Sequence, residues 1–191
     1  MKKADGFSLI ELLVVIAIVA ILASLAVPSF QGMIASSNLT STTNDLIATF
    51  ARARSDAIRR GKRVTVCMSA NGTQCTTTGE WSQGWIMFND NDHSGASAKV
   101  DTTDETITAI SPALTNSIIM KTKGSMPYVS FSADGQAKLM NGGSGAGTLR
   151  VCSISTALTN DTRAKDIVIN FVGRVNVVKK TGVAVSCPAP T

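Results

Sequence analysis

An acidic residue in front of a long apolar run is the feature that most constrains this chain. The run covers residues 12–27, follows Gly6-Phe7-Ser8-Leu9-Ile10-Glu11, and only six residues precede Phe7. A general secretory signal places its apolar core before the cleavage site and ends on small residues. A cut in front of the run would instead leave it on the mature protein. The apolar segment is therefore expected to be a permanent part of the molecule.

This stretch resembles the class III signal, which is the prepilin leader of type IV pilins and of type II secretion pseudopilins. The resemblance rests on a glycine before the cut, a phenylalanine after it, a glutamate five residues into the mature chain, and a long apolar run. It implies cleavage after Gly6 by a prepilin peptidase and N-methylation of the new terminus at Phe7. An ordinary membrane anchor would explain the apolar run but not Glu11.

Glu11 needs a partner if its helix lies in a membrane. A charged side chain within a membrane helix costs roughly 2.5–3.5 kcal/mol on insertion scales, although less near the end of the helix. The pilin resemblance implies that Glu11 pairs with the N-terminal amine of a neighbouring subunit. Buried ion pairs are better attested as devices that set register than as sources of stability. We therefore expect Glu11 to fix the axial register during filament assembly.

Length and composition predict one globular head after the helix. The 191 residues divide into a leader at 1–6, an apolar transmembrane or filament-core helix at 7–30, and 31–191, an amphipathic helix half followed by a β-rich head. The formal charge of +5 is a mild basic excess. An excess of this size does not establish a nucleic-acid partner.

The four cysteines predict disulfides. They are Cys67, Cys75, Cys152 and Cys187, with no C-x-x-C spacing and with His93 as the single histidine, so a zinc site is not expected. An even number of cysteines in a translocated head favours disulfide bonds, with free buried thiols as the alternative. Of the three pairings we favour Cys67–Cys75, which closes a short loop, and Cys152–Cys187, which tethers the C-terminal tail.

The pattern of apolar residues predicts one long helix from Phe7 to about Arg60. Pro28 should kink it, because proline removes a backbone hydrogen bond and clashes with the preceding turn. Beyond Pro28 the apolar residues recur at helical spacing, which predicts a face that packs on a sheet: Leu39, Leu46, Phe50, Ala53 and Ala57. Gly61 is expected to cap the C-terminus.

After Gly61 the period of the pattern changes to two residues, which is typical of strands. The predicted strands are 62–69, 84–88, 106–110, 128–131, 148–154, 166–171 and 175–178. A long helix followed by a run of strands predicts an α+β fold.

Three motifs occur in the head: Trp81-x-x-Gly84-Trp85-x-x-Phe88-x-Asp90-x-Asp92, Phe131-x-x-Asp134-Gly135 and Gly173-Arg174-Val175. They resemble the motifs of the GspH/FimT family of minor pilins and minor pseudopilins, and most of all those of its FimU-type minor pilins. The resemblance implies a type IV pilin-like fold, in which a long N-terminal α-helix packs on a head of two small sheets. Trp81 and Trp85 are expected to pack within the head, with Trp85 in its core.

An acidic loop is a weak candidate for a calcium site. Five residues fall at positions 1, 3, 5, 6 and 12 of an EF-hand-like loop: Asp90, Asp92, Ser94, Gly95 and Asp101. However, position 12 is the shorter aspartate and no helix follows, so a solvated loop is the favoured interpretation. His93 lies in the same loop without the partners that a catalytic triad needs.

The C-terminal region carries a candidate DNA contact made by Arg174, Lys179 and Lys180. Competence-associated members of the resembled family bind DNA through a Gly-Arg-x-Arg motif here. Arg174 matches the first arginine, but Asn176 replaces the second, and the loss of a cation weakens phosphate binding. Charges on a solvated edge strand are the alternative interpretation.

The resemblance implies a structural role and neither an enzyme nor a cofactor. The chain would be a minor pilin near the tip of a type IV pilus, which primes assembly and supports twitching motility, adhesion and DNA uptake indirectly. Its partners would be other minor pilins, the major pilin, the prepilin peptidase and the inner-membrane assembly platform. It would wait in the inner membrane, with its head in the periplasm, before reaching the cell surface. A GspH-like pseudopilin of type II secretion and a DNA-binding competence pilin are the alternatives.

Overall fold

One helix dominates the molecule. The computed structural model describes residues 8–91, 95, 97–101, 104–115 and 117–191, without the side chains of 25–29. Helix α1, Leu9–Arg60, has 52 residues and is therefore about 80 Å long. Gly61 ends it in the left-handed conformation with φ of 64°, and its N–H donates to the carbonyl of Ile58. The predicted helix and its cap are thus confirmed for the described residues.

The N-terminal half of α1 stands clear of the head, with exposed apolar side chains from Leu9 to Leu22. Within the described part of the chain, no helix contains a stretch that is both long enough and apolar enough to cross a membrane. The helix continues through Pro28, whose side chain the structure does not describe, so the kink stays a prediction. The membrane role of residues 7–30 and the division at residues 6 and 30 stay predictions as well.

The head consists of two antiparallel four-stranded sheets. The strands are β1 Arg63–Met68, β2 Trp85–Asp90, β3 Ile107–Ser111, β4 Ile118–Thr122, β5 Tyr128–Phe131, β6 Gly147–Ser153, β7 Ala164–Ile169 and β8 Val175–Lys180. Their order is β3-β2-β1-β5 in the first sheet and β4-β6-β7-β8 in the second. A short 3-10 helix, Trp81–Gln83, precedes β2. Of the strands, only β4 was absent from the sequence prediction.

The C-terminal half of α1 packs against both sheets. The predicted stripe of Leu39, Leu46, Phe50, Ala53 and Ala57 is buried in one core together with residues of β1, β5, β6 and β7. Phe50 meets Trp81 edge to face, with 5.7 Å between the ring centroids. Burial of each large apolar side chain contributes about 1.5–3 kcal/mol, so this stripe is the main attachment of the helix to the head.

Two disulfides fasten the periphery of the head. Cys67 is bonded to Cys75 across eight residues, and Cys152 to Cys187 across 35 residues. These are the two pairs favoured on sequence grounds. The second bond holds the C-terminal tail on the face of the β4-β6-β7-β8 sheet where Ala164 and Val183 are buried. The tail also covers the buried ion pair between Arg150 and Asp166, because Arg150 donates to the carbonyl of Pro188 at 2.9 Å.

Candidate assembly site and surfaces of the head

Glu11 is held at the start of α1 by a capping box. Its backbone N–H donates to Ser8 Oγ at 3.3 Å, while its Oε2 accepts from the backbone N–H of Ser8 at 2.9 Å. Such reciprocal bonds satisfy donors that a helix N-terminus otherwise leaves unpaired. Oε2 also accepts from Ser8 Oγ at 2.9 Å, whereas Oε1 accepts no hydrogen bond from the residues that the structure describes. The carboxylate can therefore keep its local cap and still bind a donor from outside.

The surroundings of Glu11 are apolar on every side of the helix. Leu9, Ile10, Leu12 and Leu13 are exposed, and nearer the head Phe30, Met33 and Ile34 are exposed as well. A helix that is apolar all round belongs in a membrane or in the interior of a larger assembly. Gly6 and Phe7, the predicted processing site, lie outside the described residues.

Arg54 of α1 joins two of the motifs that carry the family resemblance. Its Nε donates to the carbonyl of Gly135 at 3.0 Å, and its Nη2 donates to the carbonyl of Val172 at 2.9 Å. Gly173, with φ of 76°, lies so close that an added Cβ would overlap the carbonyl oxygen of Gly135. The motifs around Gly135 and Gly173 therefore serve to bring the two sheets together at the end of α1. Nothing in the sequence pattern singles out Arg54, because its partners are 81 and 118 residues away.

Both tryptophans lie inside the head. Trp81 is 1% exposed and Trp85 is 2% exposed, which agrees with the predicted packing role. The indole N–H of Trp81 donates to the carbonyl of Met126 at 2.8 Å, and that of Trp85 reaches Thr49 Oγ1 of α1 at 3.4 Å. The pair thus links the helix to the head and does not form an exposed recognition surface.

The described part of the acidic loop is organised by hydrogen bonds. Asp90 is buried, and its Oδ2 accepts from Thr65 Oγ1 at 2.6 Å. Glu105, which the calcium hypothesis did not include, accepts from the backbone N–H of Asn91 at 2.9 Å and from that of Asp101 at 2.8 Å. Asp92, His93 and Ser94 lie outside the described residues. Within those that are described, no group of three or more metal-binding side chains occurs, and calcium binding stays an untested hypothesis.

The three candidate DNA contacts lie at opposite ends of β8. Arg174 sits in the turn before the strand, where its backbone N–H donates to Asn170 Oδ1 at 2.7 Å. Lys180 ends the strand, with its Nζ 3.9 Å from Asp166 Oδ2. At about 3.3 Å per residue, Arg174 and Lys179 are separated by roughly 17 Å along the strand. These cations do not form one compact patch, and direct DNA binding stays a prediction.

Asp134, in the turn next to Arg54, has a strongly perturbed carboxyl group. A hydrogen bond from the hydroxyl of Ser132, one from the backbone N–H of Gln136 and one from the Lys138 ammonium lower its pKa from the ordinary 3.8 to about 2. The turn is thus built around an ionised carboxylate, as is common where aspartate bonds the backbone two residues further on.

Two family descriptions match the sequence. Residues 42–173 match "Type II transport protein GspH" and residues 1–27 match "Prokaryotic N-terminal methylation motif". Among curated proteins, "Fimbrial protein Q" of Moraxella bovis is 37% identical over 102 residues, which cover 51% of this chain and 64% of that protein. A "Fimbrial protein" of Pseudomonas aeruginosa is 38% identical over 74 residues, which cover 39% of this chain and 47% of that protein. This chain thus spans between about half and two thirds of the length of these curated relatives.

A solved structure shares the fold. The crystal structure of the type IV minor pilin FimU of Pseudomonas aeruginosa superposes with a TM-score of 0.51 at 16% sequence identity, over 80% of this chain and 93% of that one. The described fold of a long N-terminal helix on a two-sheet head is therefore that of type IV pilins. Because the GspH match covers more than half of the sequence, the chain belongs to the GspH family of pilin-type subunits.

Proposed function

We propose that this chain is a minor pilin, a structural subunit incorporated at or near the tip of a type IV pilus, where it helps to prime assembly. One observation carries the proposal: Glu11 has an unused carboxylate oxygen at the start of a helix whose N-terminal half exposes its described apolar side chains. A subunit of this kind is complete only beside other helices, which is the situation of a filament core.

The proposed mechanism begins in the inner membrane. The apolar helix keeps the subunit there with its head in the periplasm, and a prepilin peptidase cuts after Gly6, after which the amine of Phe7 is methylated. On extraction by the assembly platform, Glu11 binds the N-terminal amine of an adjacent pilin through Oε1. The capping box holds the carboxylate in place, so that little side-chain freedom is lost in forming this bond. The role is structural, and its partners are other minor pilins and the major pilin.

Sheared pili from a strain that carries the full-length gene, compared with those from a deletion strain, test the proposal. We expect the deletion to reduce surface piliation and twitching motility, and the wild-type chain to be recovered in the pilus fraction at its mature length. A Gly6→Leu variant should accumulate as precursor and stay out of the pili. Normal piliation in the deletion strain, with the chain absent from wild-type pili, would overturn the proposal.

A pseudopilin of type II secretion is a second candidate, since the matched family is described as a type II transport protein. It would use the same helix and head in a short periplasmic filament. Secretion of folded proteins, assayed in parallel with piliation in the deletion strain, separates the two. Loss of secretion with normal pili would select the pseudopilin.

A further inference from the structure

Strand β8 is an open edge of the β4-β6-β7-β8 sheet. Only β7 pairs with it, and within the part of the chain that the structure describes no other backbone group bonds to its outer side. The bond from Asn170 N–H to the carbonyl of Arg174 marks a hydrogen-bonded pair at the start of the β7-β8 ladder. Because such pairs alternate in antiparallel sheets, the N–H and C=O groups of Val175, Val177 and Lys179 point away from β7. They offer a ladder to a further strand.

The side chains of β8 do little to protect this edge. Natural sheets blunt an exposed edge with charges, prolines or bulges. Here the lysines occupy only the last two positions, and the strand pairs with β7 in unbroken register. Val177 and Val178 are 43% and 44% exposed, and Phe171 and Val172 are exposed in the preceding turn. The first four positions of the edge are thus uncharged, and all of them except Asn176 are apolar.

A groove runs between this edge and α1. Its volume is about 360 Å³, and its apolar walls come from Ile47, Ala51 and Ile58 of the helix and from Val175 of the strand. Val177 and Lys179 share the helix-facing side of β8 with Val175, since strand residues alternate in direction. A strand added to β8 would therefore direct its side chain beside Val175 into this groove, whose lining also includes the polar residues Arg54, Ser55 and Arg174.

Two lysines follow on the same side of the sheet, towards the end of β8. Lys179 lies directly opposite Lys165 on β7, on the same helix-facing side. Like charges in such positions destabilise a sheet. Lys165 Nζ donates to Thr40 Oγ1 at 3.0 Å, and among the described residues no carboxylate lies within ion-pair distance of either lysine. A carboxylate from another chain could therefore pair with both lysines, for which the described residues supply no anionic partner.

We propose that β8 binds an extended segment from the head of a neighbouring, different pilin-type subunit, which adds as a further strand. That segment places apolar side chains beside Val175 and Val177 and a carboxylate between Lys165 and Lys179. Main-chain hydrogen bonds supply affinity in such strand addition, and the alternating side chains supply specificity. The inference rests on the proposed function, because it requires neighbours of the same class in a filament.

Photocrosslinking in cells tests this contact with the full-length chain. A benzophenone amino acid replaces Val178 on the edge of β8 or, as a matched control, Ile110 on β3, the exposed edge of the other sheet. We expect the probe at position 178 to form a covalent product with another protein that has an N-terminal methylation motif, at a segment that carries two apolar residues and one acidic residue at every second position. The probe at position 110 should give no such product.

A charge variant tests the specificity. In the strain with the probe at 178, Lys179→Glu should lower the yield of the product by on the order of tenfold, because the carboxylate of the added strand would then face a like charge. Lys62→Glu makes the same charge change on an exposed residue before β1 and should leave the yield unchanged. Resistance of the head to protease in each variant shows that it is folded.

The outcomes separate this inference from the function on which it rests. If the chain is recovered in sheared pili but the probe at 178 gives no product, or couples to a second copy of this chain or to a protein without the methylation motif, strand addition at β8 is wrong while the minor-pilin proposal stands. If the chain is absent from pili and its deletion leaves them normal, the proposed function itself is wrong. An equal yield from positions 178 and 110 would also overturn the inference.

Discussion

The two halves of α1 have the same conformation and opposite surroundings. From Leu9 to Leu22 and from Phe30 to Ile34 its large apolar side chains are exposed, whereas from Leu39 to Ala57 its apolar stripe is buried under two sheets. The second half shows a stripe of apolar residues with polar ones between them, while the first half is apolar all round. A helix with one apolar stripe can bury it against the head alone, but a helix that is apolar all round needs neighbours on every side. The head can therefore fold around the second half alone, and the first half is left for partners.

Two phenylalanines of α1, one in each half, should differ most in their effect on the stability of the head. Phe50→Ala removes a fully buried ring that packs on Trp81, and we expect it to lower the free energy of unfolding of the head by about 3–5 kcal/mol. Phe30→Ala, the matched control, removes an exposed ring from the first half and should leave it unchanged. Denaturant unfolding of the full chain in detergent, followed by tryptophan fluorescence, measures both. Equal losses would show that the two halves do not differ as described.

The two disulfides of the head should contribute unequally to its stability. In the chain-entropy model, removing Cys152–Cys187 by a double alanine substitution costs about 3.8 kcal/mol, and removing Cys67–Cys75 costs about 2.5 kcal/mol, because the first bond closes the longer loop. The same unfolding experiment measures the two variants. A larger loss from the shorter loop would mean that local packing outweighs loop closure.

Arg54 offers a smaller test of how the helix is attached. Arg54→Ala deletes two hydrogen bonds from a charged donor to the carbonyls of Gly135 and Val172. A partly solvated pair of this kind should be worth about 1–3 kcal/mol. Arg52→Ala, two residues away, removes only an exposed ion pair at 3.7 Å and should cost less than about 1 kcal/mol. A similar loss from both variants would show that Arg54 does not join the sheets.

The smallest expected effect is the pH dependence at Asp134. Its pKa is lowered to about 2 in the folded head, so its contribution to stability is fully present above the unfolded pKa of about 3.9 and is lost as the pH falls towards 2. Asp134→Asn should remove this dependence, so that its urea midpoint falls less steeply than that of wild type below pH 4. A parallel decline would contradict the lowered pKa.

Local patterns in the sequence predicted the elements that follow one period. The helix, its buried stripe and its glycine cap are examples, as are strands such as β1 and β6. Strand β4 has too little pattern to be found, because its three apolar residues, Ile118–Met120, are consecutive and lysine follows at once. The division into two sheets, Arg54 and the role of Glu105 depend on contacts between distant parts of the chain. No local period contains that information.

Of the two candidate binding sites, only Glu11 could be predicted from the sequence. Glu11 stood out because a carboxylate is costly beside an apolar run, whereas the edge of β8 became visible only when its pairing and the groove beside α1 were known. Lys179 had been a candidate DNA contact on sequence grounds. Its position opposite Lys165, on the side that faces α1, makes it a contact for the carboxylate of the proposed added strand as well, while the DNA contact stays a prediction.

In the proposed mechanism Glu11 binds a neighbouring subunit, whereas the head of its own chain folds without it. The most direct measurement is the fraction of mature protein recovered in sheared pili for wild type, Glu11→Ala and Ser8→Ala, with the Ser8 variant as the control that disrupts the capping box but keeps the carboxylate. We predict normal processing and a folded head in all three, near-complete loss from pili for Glu11→Ala, and recovery close to wild type for Ser8→Ala. Incorporation of Glu11→Ala at the wild-type level would contradict the account.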